Sequence, residues 1–192
     1  MKGMNIKDLE KKGYKEIEKI DLVNNKKEAM LVNILGLVIV VVMMVFIPLL
    51  IKVGFIRSYK DNLILSLIVF SISLILYIPL HEIVHGVVLK CYTNEKLSFG
   101  WKFVYAYCGS KEAVVKRGEY YFVALAPLAV FSFVFVLLMA LNPTLSFVWY
   151  LMEIMNVSGS IGDIYVSVKL CKKKEKDILI TDNGTDMSFW SC

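Results

Sequence analysis

The sequence predicts an all-α, polytopic membrane protein with about four transmembrane helices and a short β segment at the membrane interface. Of its 192 residues, 57% are hydrophobic, and they gather into long blocks instead of recurring at amphipathic spacing. Three blocks, Met30 to Ile51, Leu63 to Leu89 and Tyr121 to Leu141, each reach the roughly 20 residues that cross a hydrocarbon core about 30 Å thick. A fourth, Thr144 to Leu170, is apolar but interrupted by polar residues.

The chain is expected to divide into an N-terminal segment, 1–29, a four-helix membrane domain, 30–170, and a tail, 171–192. Residues 1–29 are charged throughout, and the first apolar block is too long for a signal core, so it is expected to stay as an anchor. Within the first segment, Ile6, Leu9, Ile17, Ile20 and Val23 fall at roughly helical spacing among lysines and glutamates. That pattern predicts an amphipathic helix over 6–23 lying on the membrane surface.

Lysine and arginine number eight in 1–29, three in 52–60, six in 90–117, none in the Asn142-Pro143 turn and five from Lys169 onward. By the positive-inside rule, both termini and the 90–117 loop are cytoplasmic, as expected of a multi-pass protein of the bacterial cytoplasmic membrane. The net charge of +5 is explained by attraction to anionic lipid headgroups, because the lysines flank membrane segments; it does not call for a nucleic-acid partner.

From Leu97 to Tyr107 every odd position is large and apolar or aromatic, and period two means a strand. In the tail, two apolar runs flank Asp182-Asn183-Gly184, the signal of a hairpin. The four cysteines, Cys91, Cys108, Cys171 and Cys192, have no Cys-x-x-Cys spacing and read as reduced thiols without a metal role.

Chemistry enters with His81-Glu82-Ile83-Val84-His85. The chain has two histidines, four apart, with a glutamate directly after the first, an arrangement that about one shuffled sequence in two thousand would show. On a helix, residues four apart share one face, so both imidazoles reach one zinc ion, with Glu82 placed to take a proton from its water. Zinc lowers the pKa of such a water to about 7. The plainer alternative, two histidines hydrogen-bonded in a bundle interior, would keep two imidazoles and a carboxylate within five residues of a membrane helix for packing alone, which is costly.

A catalytic zinc usually has three protein ligands, so a carboxylate or a cysteine must supply the third. The candidates are Glu112, Glu119, Glu153 and Asp163. His81 and His85 lie about 27 and 33 Å along the second span and Asp163 about 29 Å along the fourth, which also runs inward, whereas Glu153 lies only about 14 Å along it. Glu112 and Glu119 stand downstream of His85 at separations that soluble zincins use for a glutamate ligand, and remain runners-up. Glu153, Asn156, Ser160 and Asp163 share one helical face, and polar residues within a membrane helix face the bundle or a cavity. Asn156 is the side chain best suited to orient substrate or to donate to a developing oxyanion; a hydrogen bond that joins helices is the equal alternative. Pro79, two residues before the motif, is expected to loosen the helix there, and Pro127 to do likewise in the third span.

His81-Glu82-Ile83-Val84-His85-Gly86 ending a membrane helix, Ala124-Leu125-Ala126-Pro127-Leu128 opening another, and Gly159-Ser160-Ile161-Gly162-Asp163-Ile164 in a last one resemble a zincin peptidase family of small bacterial membrane proteins, long known as a domain of unknown function. That family is similar to the site-2 proteases, intramembrane zinc enzymes that cleave membrane-embedded regulators. The resemblance, over roughly Tyr77 to Tyr165, implies Zn2+ as cofactor, His81, His85 and Asp163 as its ligands, Glu82 as catalyst, and a membrane protein or peptide as substrate. The competing expectation is a non-catalytic membrane metal-binding or regulatory protein with a zincin-like fold. An ion permease has less to recommend it, since one ligand cluster gives no evident pathway.

Overall fold

In the computed structural model the described residues are 6–57, 63–93, 95–102, 105–110, 113–184 and 186–192. Three helices among them are long and apolar enough to cross a membrane. The first, α2 (Lys26–Lys52), follows a short α1 (Ile6–Lys11) and is started by Asn25, whose side chain accepts from the backbone N–H groups of Lys27 and Glu28, two donors that a helix start otherwise leaves unpaired. The others are α3 (Leu63–Tyr92) and α4 (Arg117–Leu141).

Residues 144–170 depart from the expected single span. A 3-10 turn at Pro143–Leu145 leads into α5 (Ser146–Gly159), and a separate α6 (Ile161–Cys171) follows. The division falls at Ser160, within Gly159-Ser160-Ile161-Gly162, where two glycines and a serine weaken helical propensity. At about 21 and 17 Å, neither piece crosses a hydrocarbon core alone. Asp163 thereby comes to lie in the first turn of α6.

The expected helix over 6–23 is also corrected. It stops after Lys11, Gly13 takes φ +83°, which glycine adopts without a steric penalty, and Lys15–Asp21 forms strand β1. A bulge between Glu16 and Glu18 explains the misreading. One extra residue in a strand lets side chains three apart, Ile17 and Ile20, turn toward the same core, which imitates helical spacing.

Two sheets complete the fold. Residues 97–107, expected as one strand, belong to an antiparallel pair, β2 (Ser98–Lys102) and β3 (Tyr105–Gly109), with Phe99 opposite Cys108 and Trp101 opposite Ala106; Phe103 lies outside the described residues. In the tail, β5 (Leu179–Asp182) and β6 (Asp186–Ser191) form a hairpin. With β4 (Val114–Lys116) and β1 they make a four-stranded antiparallel sheet in the order β1-β6-β5-β4, so the first of the described strands pairs with the last.

The sheet packs on the ends of three helices. Ile20, Val115, Ile180 and Phe189 share one apolar cluster with Leu89 of α3, Val123 and Ala124 of α4, and Val166 and Leu170 of α6. A second cluster, Tyr77, Phe131, Phe135 and Met152, joins α3, α4 and α5. Arg117, the first residue of α4, donates to the carbonyls of Leu170, Cys171, Lys173 and Glu175, which ties the C-terminal end of α6 to the sheet side of α4.

Candidate metal centre

The histidines lie toward the C-terminal end of α3, and their ring centroids are 5.0 Å apart. Both rings turn Nε2 toward Asp163. The distances are 3.5 Å from His81 Nε2 to Asp163 Oδ2 and 3.6 Å from His85 Nε2 to Asp163 Oδ1. These are long for hydrogen bonds. They match the separation of about 3.4 Å between two atoms that each sit about 2.1 Å from a common tetrahedral zinc. The ligand atoms of the three side chains lie within 4.8 Å of one another, and two imidazoles with one carboxylate form a recognised catalytic zinc set.

The second nitrogens of the rings are held by protein. His85 Nδ1 is 2.8 Å from the carbonyl oxygen of Val123. A carbonyl only accepts, so Nδ1 carries the proton and Nε2 keeps its lone pair for a metal. His81 Nδ1 is 2.9 Å from the hydroxyl of Tyr77, which also donates to Asn156 Oδ1 at 3.1 Å.

The group opens on a cavity of about 160 Å³. Glu82 lines it beside His81 and His85, with Tyr120 and Val123 of α4 opposite and the small Gly159 and Gly162 on the α5–α6 side. The tail hairpin contributes Asp182, Gly184 and Met187. Its turn is anchored in two ways. The Tyr120 hydroxyl lies 3.3 Å from Asp182 Oδ2, and the Ser110 N–H donates to the Asp182 carbonyl at 2.9 Å. Gly109 lies against the same turn, where a Cβ would come within 2.3 Å of the Asn183 backbone, so no larger residue fits that crossing.

Asp182 is a cavity residue that sequence reasoning read only as part of a turn signal. Burial pushes its carboxyl up to about 6, against the opposing pull of the Gly184 N–H, His85 and Tyr120. Tyr77 was likewise passed over, although its position four residues before His81 puts the two on one helical face.

The remaining candidates lie elsewhere. Glu119 sits in the first turn of α4, where its carboxylate accepts from the Lys116 N–H at 2.8 Å. Glu112 lies outside the described residues. Glu153 accepts from Ser132 Oγ at 2.6 Å. Asn156 is 0% exposed, one layer behind His81, and its amide nitrogen faces Leu128 O, Ser132 Oγ and Glu153 Oε2.

No curated protein and no solved structure matches the chain. A family model described as "Putative zincin peptidase" matches residues 74–178, more than half of the sequence, and that segment holds His81, Glu82, His85 and Asp163 while ending before β5. The chain belongs to this zincin peptidase family.

Proposed function

We propose that the protein is an integral membrane zinc metallopeptidase of site-2 protease type, which hydrolyses peptide bonds of a membrane-associated protein or peptide near the cytoplasmic face. The observation that carries this reading is the approach of two Nε2 atoms to the two oxygens of one carboxylate at 3.5 and 3.6 Å, at the wall of a cavity that Glu82 also lines.

His81, His85 and Asp163 would hold the zinc, which when bound would supply Lewis-acid polarisation of a scissile carbonyl and a lowered pKa for the attacking water. Glu82 acts as general base and acid: its carboxylate takes a proton from the attacking water and returns it to the departing amide nitrogen. Tyr120, Val123 and Met187 restrict bulk water around the reacting groups, where each charge interaction gains strength. An extended peptide suits such a site, and the two-stranded β2–β3 sheet directly after α3 has strand edges unpaired among the described residues, which supports substrate capture by strand addition.

The bilayer as surroundings is supported by the length and apolarity of α2, α3 and α4, and cytoplasmic termini by the distribution of lysine and arginine. The test is metal analysis of detergent-purified protein together with a Glu82→Gln variant. Zinc near one per chain in both proteins, with membrane substrates accumulating only in cells that carry the variant, is the expected result. Activity that survives Glu82→Gln, or that persists in metal-free protein, overturns the reading; bound zinc with no substrate accumulating in the variant also overturns it and leaves a non-catalytic metal-binding protein.

A further inference from the structure

The hydrogen-bond chain behind His81 has a direction that its chemistry fixes. Asn156 Nδ2 lies 3.2 Å from the Leu128 carbonyl oxygen, 3.0 Å from Ser132 Oγ and 3.4 Å from a Glu153 carboxylate oxygen. A carbonyl and a carboxylate only accept, so the amide must present its NH2 group to that side and its oxygen to the other. The oxygen faces the Tyr77 hydroxyl at 3.1 Å. An amide oxygen only accepts as well, so the single phenolic proton points to Asn156. Toward His81 the phenol then offers a lone pair at 2.9 Å, and the proton in that contact must come from Nδ1.

We propose that Asn156 and Tyr77 act as positioning residues that hold His81 in its Nδ1–H tautomer and so reserve Nε2 for the metal. The proposal rests on the metal site of the preceding reading. The two ligand histidines then reach one result by different routes: His85 through one backbone carbonyl of α4, His81 through a side-chain relay from α3 to α5. Asn156, outside the cavity wall, contributes through the imidazole. Groups that hydrogen-bond the far nitrogen of a metal-binding histidine are commonly worth about 10- to 100-fold in affinity.

Three variants of the full chain in detergent test the relay by zinc competition against a chelator. Tyr77→Phe keeps the ring that packs on Phe131 and Phe135 and removes only the hydroxyl; zinc affinity is expected to fall about 10- to 100-fold. Asn156→Leu leaves the phenol free to donate to His81 Nδ1, which favours the wrong tautomer, so affinity is expected to fall at least as far although the tyrosine is intact. In the double variant the two losses are expected not to add, as for members of one network.

A merely structural role would produce additive losses that track the thermal midpoint. That outcome, or unchanged affinity in Tyr77→Phe, overturns the relay while leaving the metal site standing. Nitrogen-15 NMR of the zinc-loaded wild type provides a test that needs no variant, because the chain has two histidines. A protonated Nδ1 and a metallated Nε2 on His81 are expected, and metal on Nδ1 overturns the proposal. A wild type that binds no zinc overturns both this inference and the reading beneath it.

Discussion

Helices α2 and α3 are close in length, 27 and 30 residues, and both are apolar enough to cross a membrane, yet they meet their surroundings differently. α2 contributes no buried side chain, and Leu37 and Val45 are 63% and 70% exposed. α3 is exposed along much of its length too, but it buries Ser66, Tyr77, His81, Gly86 and Leu89. On one side α2 packs Val40, Met43 and Ile47 against Tyr150 and Ile154 of α5; in the bilayer of the proposed function, lipid tails would satisfy its other flanks as well as a neighbouring helix does. In that bilayer, polar groups such as those of α3 would have no water and would have to be met by protein. The two helices are alike in apolarity, and the polar groups of α3 mark the one that protein encloses more deeply.

The contrast can be broken most directly at the polar end. Asp163→Asn is expected to lower zinc affinity by more than about 100-fold, since even residues behind a metal ligand are worth about 10- to 100-fold; retention of stoichiometric metal in a chelator titration would place the third ligand elsewhere. Next in size is Phe189→Ala. This side chain is fully buried where the sheet meets α4 and α6, and its loss is expected to cost about 3–5 kcal/mol, seen as a lower thermal midpoint and faster proteolysis of the tail.

A smaller effect is expected at Asp182, through pH. Its carboxyl, raised by burial to about 6 from 3.8, keeps a proton in the folded protein that the unfolded chain has already released. The unfolded state thus binds fewer protons in that window, so stability falls as pH rises from about 4 to about 6 and stays lower above it. Asp182→Asn is expected to flatten this slope in chelator-stripped protein; parallel pH profiles of wild type and variant would refute it. The smallest change belongs to Leu37→Ala on α2, expected to shift stability by no more than about 0.5 kcal/mol, as for a site with no protein packing to lose. A loss as large as that of Phe189→Ala would show that the exposed face of α2 around Leu37 is covered by protein after all.

Long apolar runs made α2, α3 and α4 legible in the sequence, because a run of about 20 apolar residues is long enough for a spanning helix and composition reports it directly. The pairing of His81 with His85 was legible from helical periodicity; Asp163 lies beside them, although the depth assigned to it was counted along one continuous span that the structure divides. The division at Ser160 was not legible, since one residue out of helical register leaves the surrounding apolar pattern unchanged. Strand β1 was hidden by its bulge, which gave Ile17 and Ile20 a helical spacing. Tyr77 escaped because a tyrosine in an apolar run reads as a core or interface residue until its hydroxyl has a partner, and that partner, Asn156, is 79 residues away.

The pairing of β1 with β6, with Lys15 opposite Ser191, also orders events during synthesis. His81, His85 and Asp163 are all translated before the hairpin that covers them, and the sheet cannot close until β6 has left the ribosome to find a strand made near the start. A nascent chain thus holds these three side chains for a time without Asp182, Gly184 and Met187 beside them. Such long-range strand pairing is a slow class of folding event, so the cavity is walled last.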